Sequence, residues 1–259
     1  MKRKRPTGLF ITGTDTSVGK THVAAMIARW LAQSGLKVGV YKPAASGAVA
    51  KDGSLISEDA VRLWEAAGSH GDFNQVCPQV FAAPLAPHLA ARAEGRRLDA
   101  HRLRSGLDYW VESSDVVLVE GAGGLMSPIG DEEYIADLAD EFGMPLVVVA
   151  RNAVGAINQV LQTLIVAATF REGLDVAGVV LNTLNSVSDD PSRGSNRDEI
   201  ERHARSPVLA EVEYAATEFS PPIDWLALAQ ARPARTIAWN EEDAGFGEIG
   251  HGEVGLHDE

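Results

Sequence analysis

The sequence predicts an α/β fold: a single doubly wound, mostly parallel sheet with helices on both faces. Three observations carry that reading. Apolar strand-like runs alternate with helical patterns along most of the chain. The first run enters a small-residue turn ending in Gly19-Lys20-Thr21, and a helical pattern follows at once. The length of 259 residues suits one such domain with a full core. Residues 1–239 are read as that domain and 240–259 as a tail.

The first element is the short run Leu9 to Ile11. The turn after it reads Thr12-Gly-Thr-Asp-Thr-Ser-Val-Gly-Lys-Thr21, and Val23, Met26, Ile27, Trp30 and Leu31 mark the helix. Strand, loop and helix in this order form a phosphate-binding unit. Loop N–H groups and the positive end of the helix hold the phosphates. Lys20 reaches the β- and γ-phosphates, and the Thr21 hydroxyl ligates Mg²⁺. The usual spacing has a glycine five residues before Gly19. Thr14 stands there, and Gly13 lies one residue earlier.

The second strand runs over Gly35 to Tyr41 and delivers Lys42-Pro-Ala-Ala-Ser-Gly47 to the carboxyl edge of the sheet, where such folds bind ligands. By spacing alone Lys42 reads equally as a solvated strand-end lysine or as a stabiliser of a transferred phosphoryl group. Asp59 also has two readings. Ser57 caps a helix whose first turn favours the acids Glu58 and Asp59, or Asp59 faces a partner across the site. That partner is Glu120, at the end of the buried run Val116 to Val119 and just before Gly121-Ala-Gly-Gly124. A carboxylate there positions Mg²⁺ or water, and glycines let the backbone approach phosphates closely. The strand Pro145 to Val149 leads to Asn152-Ala-Val-Gly-Ala-Ile-Asn158 and an apolar helix. The strand Val176 to Leu181 ends at Asn182-Thr183.

Five segments, in order, resemble the dethiobiotin synthetase family of phosphate-loop NTPases. They are Thr12 to Thr21, Tyr41 to Gly47, Ser57 to Asp59, Val119 to Gly124 and Gly155 to Asn158. The resemblance implies a homodimeric ligase of biotin synthesis. Its substrates are 7,8-diaminopelargonate, CO₂ and ATP; a carbamate is phosphorylated and then closed to the ureido ring of dethiobiotin, releasing ADP and phosphate. Carried onto this chain, Lys20 and Lys42 are catalytic. Thr21, Asp59 and Glu120 hold Mg²⁺. Ser17, Val18, Gly19, Lys20, Thr21, His22, Asp59, Glu120, Gly121, Ala122, Gly123, Asn182 and Thr183 bind the nucleotide. Thr16, Lys42, Ser46, Gly155, Ala156 and Asn158 contact the diamine substrate, the last three from the second subunit.

The chain departs from the family in three places. Ser17 replaces a frequent glutamate. Ala210-Glu211-Val212-Glu213 replaces Gly-x-Ile-Pro near the adenine, which predicts a loose base preference. Pro84-Leu-Ala-Pro-His88 lacks a serine, and His88 reads as structural. A relative acting as another amide synthase would share the loop but need not share Lys42 to Gly47. A nucleotide-switched partitioning ATPase usually carries an extra lysine early in the loop, and Thr12 to Thr16 has none.

Net charge is −13 and 45% of residues are hydrophobic, with no run approaching a membrane span. Neither membrane nor nucleic acid is expected as a partner, despite the basic stretch Lys2 to Arg5. One cysteine, Cys77, excludes a disulfide framework and fits the cytoplasm. Residues 240–259 hold seven acids and neither Lys nor Arg, the composition of a disordered tail. Residues 189–196, with Pro191 and Gly194, read as an exposed loop.

Overall fold

The computed structural model describes residues 6–51, 53–186 and 190–231. In chain order the elements are β1 (Gly8–Gly13), α1 (Lys20–Gln33), β2 (Val38–Tyr41), β3 (Val49–Lys51), β4 (Ser54–Ile56), α2 (Glu58–Ala66), α3 (Pro87–Ala93), α4 (Ala100–Ser113), β5 (Val116–Gly124), α5 (Ile135–Phe142), β6 (Leu146–Arg151), α6 (Ala156–Thr169), β7 (Val176–Asn182), α7 (Arg193–His203), β8 (Val208–Val212) and α8 (Trp225–Gln230).

Six strands make one sheet in the order β2-β5-β1-β6-β7-β8, every pair parallel, with helices on both sides. Parallel strands covered on both faces need continuous apolar sequence. β1 and β6 meet that need: Leu9 to Ile11 and Leu146 to Ala150 are fully buried. β3 and β4 form a separate antiparallel hairpin between the Lys42 loop and α2. The chain moves from β1 to one edge at β2, then from β6 through β7 to the other edge at β8. That reversal opens the crevice above the carboxyl ends of β5, β1 and β6, where sheets of this kind bind ligands.

The core is anchored by Trp110 of α4, Tyr41 at the end of β2, Phe10 of β1 and Trp225 of α8, all fully buried. Each buried polar tip of the first two is satisfied. Trp110 donates to the carbonyl of Gln75 at 3.0 Å, and Tyr41 to that of Leu103 at 2.9 Å. The floor beneath the crevice is therefore tightly packed.

Several boundaries differ from expectation. β2 begins at Val38 because Gly35, with φ 83°, closes the turn after α1. β5 does not stop at Glu120. It continues to Gly124, and Gly13 pairs with Gly124 after a register shift. The expected loop over 189–196 is cut short, since α7 starts at Arg193 and Asn196 is buried. The basic stretch Lys2 to Arg5, residues 232–239 and the acidic segment 240–259 lie outside the described residues. No helix of the described residues is long and apolar enough to cross a membrane.

Candidate active site

The loop from β1 to α1 is shaped by its backbone. Thr14 donates its N–H to Val149 of β6 at 2.9 Å. Ser17 and Gly19 both take positive φ, 57° and 89°. Any side chain at Gly19 would displace Asn182, since a Cβ there would lie 2.0 Å from Asn182 Nδ2. No side chain caps the start of α1, and its first turn holds no acid. The opening N–H groups of the helix are thus kept for an anion.

Four charged side chains converge beside this loop. Lys20 is buried and donates to the carbonyl of Asp15 at 2.9 Å. Lys42, only 5% exposed, follows β2 directly. Its ammonium is hydrogen-bonded to Glu120 Oε1 and lies 3.0 Å from Asp59 Oδ2. Thr21 Oγ1 donates to the same Glu120 oxygen at 2.9 Å. Asp59 sits in the first turn of α2, whose cap is Ser57 as expected, with the Ala60 N–H donating to Ser57 Oγ at 3.3 Å. The helix start places the acid, and Asp59 meets Lys42, which also holds Glu120, rather than Glu120 itself.

The charges are held in place by one another. Burial pulls the pKa of Lys42 down, but Glu120 and Asp59 outweigh it, and the net displacement is upward. Lys20 goes the other way. Burial dominates there, with Lys42 adding to it, so its pKa falls below the ordinary lysine value despite Glu120. Burial raises the pKa of Asp59, yet the Lys42 ammonium outweighs that and holds it below the usual carboxylate value. Asp59 is half exposed, whereas Glu120 is 2% exposed. The Lys42–Glu120 pair therefore carries the electrostatic weight, since removing one partner of a buried pair costs about 3–5 kcal/mol.

Glu120 Oε2 is buried without a hydrogen-bond partner among the described residues. An orphan carboxylate oxygen beside a threonine hydroxyl and a second carboxylate suits a hard cation such as Mg²⁺. Among the described residues no three His, Cys, Asp or Glu side chains are grouped for a metal. The candidate set is two carboxylates and one hydroxyl.

Around this cluster, Gly121 is buried and Gly123 turns at φ 74°. A Cβ on Gly123 would meet Ser127 first and lie 3.8 Å from Thr16, so Thr16 stands near Gly123. Ser46 is half-buried at the far end of the Lys42 loop. Asn182 reaches across from β7 and donates Nδ2 to the carbonyl of Val18 at 3.0 Å, leaving a buried, unpartnered Oδ1. Thr183 is buried beside it and its N–H donates to Val212 of β8 at 2.8 Å. The His22 ring lies instead with Arg62, Arg29 and the backbone of Ala216. Burial first, then Arg62, lowers its pKa.

Gly155, Ala156 and Asn158 stand apart from the cluster. Gly155 starts α6 at φ 92° and is exposed, Asn158 is exposed, and the Ala156 side chain is buried at 1%. The polar contacts of this turn run to Asp190, ahead of α7, and to Asn196 within it. The Val154 N–H donates to Asp190 Oδ2 at 2.9 Å, and Asn196 Nδ2 reaches the Ala153 carbonyl at 3.3 Å and Asn152 Oδ1 at 2.9 Å.

Sequence reasoning missed that Asn152–Asn196 support, which a polar-looking segment gives no sign of. It also missed the segment 76–83 that buttresses the Lys42 loop. There Lys42 donates its N–H to Val76 and Ala45 to Gln79, at 2.7 and 2.9 Å. His88 is half-buried, with Nδ1 3.0 Å from the Pro128 carbonyl, consistent with its structural reading.

Comparison with known proteins now decides the family. The chain is 45% identical to the ATP-dependent dethiobiotin synthetase BioD of Anaeromyxobacter dehalogenans over 203 residues, 78% of this chain and 88% of that one. The chain belongs to the dethiobiotin synthetase family. BioD proteins of Rhodopirellula baltica and Bacillus cereus are 39% and 38% identical, across 82% and 86% of their lengths. A protein-family model described as an AAA domain matches residues 7–218. The signal recognition particle receptor FtsY of Elizabethkingia anophelis shares the fold, with TM-score 0.52 and 16% identity. That match covers 88% of this chain and 65% of the receptor, and at this identity it speaks to fold alone. Within the dethiobiotin synthetase family, then, Lys20, Thr21, Lys42, Asp59 and Glu120 sit as one cluster on a phosphate-loop scaffold.

Proposed function

We propose how this site performs the family's reaction. The chain is an ATP-dependent dethiobiotin synthetase, a ligase that closes the ureido ring in biotin biosynthesis. One amine of 7,8-diaminopelargonate adds to CO₂ and loses a proton, giving a carbamate. A carbamate oxygen attacks the γ-phosphorus of ATP and ADP leaves. The second amine then attacks the carbamate carbon and phosphate departs. The chain supplies positioning and charge rather than a covalent intermediate.

The uncapped start of α1 receives the phosphates, with Lys20 on their charge. Lys42 neutralises the carbamate and the transferring phosphoryl group, because it is the buried cation at the end of the neighbouring strand. Thr21, Asp59 and Glu120 hold Mg²⁺, whose charge screens the phosphate oxygens when bound. Asn182 Oδ1 accepts from the adenine amine, and Thr16 and Ser46 receive the diamine.

The far carboxylate of the substrate meets the open start of α6 from a second subunit. The homodimer reading draws support from two exposed apolar residues, Val154 just before α6 at 78% and Ile165 within it at 47%. A reducing cytoplasm suits the lone thiol.

The observation that carries the reading is Lys42 buried between Asp59 and Glu120, with Thr21 on the same carboxylate. The test is ADP release from ATP, Mg²⁺ and bicarbonate. Release should depend on 7,8-diaminopelargonate and yield dethiobiotin; ADP release indifferent to the diamine overturns the assignment.

A further inference from the structure

The ammonium of Lys42 sits on both carboxylates assigned above to the cation. It binds Glu120 Oε1, the oxygen that already takes the Thr21 hydroxyl, and lies 3.0 Å from Asp59 Oδ2. Asp59 comes from α2 and Glu120 from β5, and the lysine ammonium pairs with both. Glu120 Oε2 has no partner among the described residues, but a divalent cation bound there would share its carboxylate with the ammonium on Oε1. Two positive centres on one buried carboxylate repel each other strongly.

We infer that Lys42 is the resident counter-ion of the cation site, and that it must release Asp59 and Glu120 before a divalent cation takes them. Release also frees the ammonium for the carbamate, so loading the cation and arming the lysine are one exchange. This inference rests on the Mg²⁺ assignment of Thr21, Asp59 and Glu120. Charge counting supports it. Without ligands, Lys42 already offsets charge on the two carboxylates it touches, with Lys20 buried nearby. Nucleotide phosphates supply the missing negative charge and give both lysines new partners. Lys42 thereby makes cation binding depend on the nucleotide.

The experiment titrates the nucleotide-free full chain with Mn²⁺, reading free Mn²⁺ by electron paramagnetic resonance and Mn²⁺-induced change in Tm. The unaltered chain should bind weakly. Lys42→Ala should bind at least tenfold more tightly and gain a larger Tm shift. Lys42→Gln, which keeps hydrogen-bond donors for Glu120 and protects folding, should gain in the same direction. Lys42→Arg should stay weak. Adding Glu120→Gln to either neutral variant should abolish the gain. If the neutral variants bind Mn²⁺ no better than the unaltered chain, while Glu120→Gln weakens Mn²⁺ binding in the ATP-bound protein, the exchange is wrong and the cation site stands. If Glu120→Gln changes Mn²⁺ binding in no background, the cation assignment itself fails and takes the inference with it.

Discussion

Two helices in this molecule begin the same way and differ in what surrounds them. α1 and α6 each start at a glycine in the left-handed region, Gly19 at φ 89° and Gly155 at φ 92°. Neither has a side-chain cap, and neither has an acid in its first turn. Both leave orphan N–H groups for an anion. At Gly19, Asn182 presses on the turn, and Lys20, Lys42 and Glu120 stand buried nearby. At Gly155 an added Cβ would meet nothing within 4 Å, and the next side chain outward is an exposed valine. An anion-binding helix end thus becomes a reaction centre only when buried charges are packed around it. The start of α6 has no such buried charges, and its turn is instead held by Asp190 and Asn196.

The largest test of that contrast is Lys42→Ala. Loss of one preorganised donor to the developing charge should lower turnover by about 10²–10³-fold. Steady-state kinetics with saturating substrates measure it, and near-normal turnover would remove Lys42 from the chemistry.

Next come matched glycine replacements. Gly19→Ala and Gly155→Ala carry the same left-handed strain, about 1–2 kcal/mol each. Only Gly19→Ala also drives a methyl into Asn182. ATP affinity should fall more than tenfold for Gly19→Ala and stay within about twofold for Gly155→Ala, as read by calorimetry. Equal losses would mean that the two helix starts are not distinct.

A smaller effect is expected from Asn158→Asp. Asn158 is exposed in the first turn of α6, so the added charge should oppose the substrate carboxylate and raise its KM several-fold. The KM for ATP should hold. Ala156 is unsuitable for this purpose, since its side chain is buried and a charge there would unfold the turn. A KM for the diamine unmoved by Asn158→Asp would leave α6 without a ligand.

The smallest effect concerns the base. Glu213 is exposed at the start of a turn closed by the Ala216 N–H at 3.1 Å, where the family pattern has a proline. GTP and CTP should therefore support appreciable turnover, because no proline fixes the loop beside the base. A strong ATP preference in a nucleotide-competition assay would show that Asn182 and the backbone suffice.

What the sequence alone determined is what short stretches of chain dictate. The β1–loop–α1 unit, the Ser57 cap and the buried strands were legible because each rests on neighbours within a few residues, through backbone conformation, capping and apolar continuity. Spacing left Lys42 and Asp59 undecided, and resemblance alone raised them. Only the tertiary structure put Lys42 onto Glu120, 78 positions away, and Thr21 onto the same oxygen from 99 positions away. It likewise turned the polar stretch around Asn196 into a buried support, through the Asn152 amide just past β6, which the local sequence does not name. The reason is physical. Helix starts and strands are set by local torsions and hydrogen bonds, whereas a buried charge or amide is tolerated only where distant elements deliver its partner.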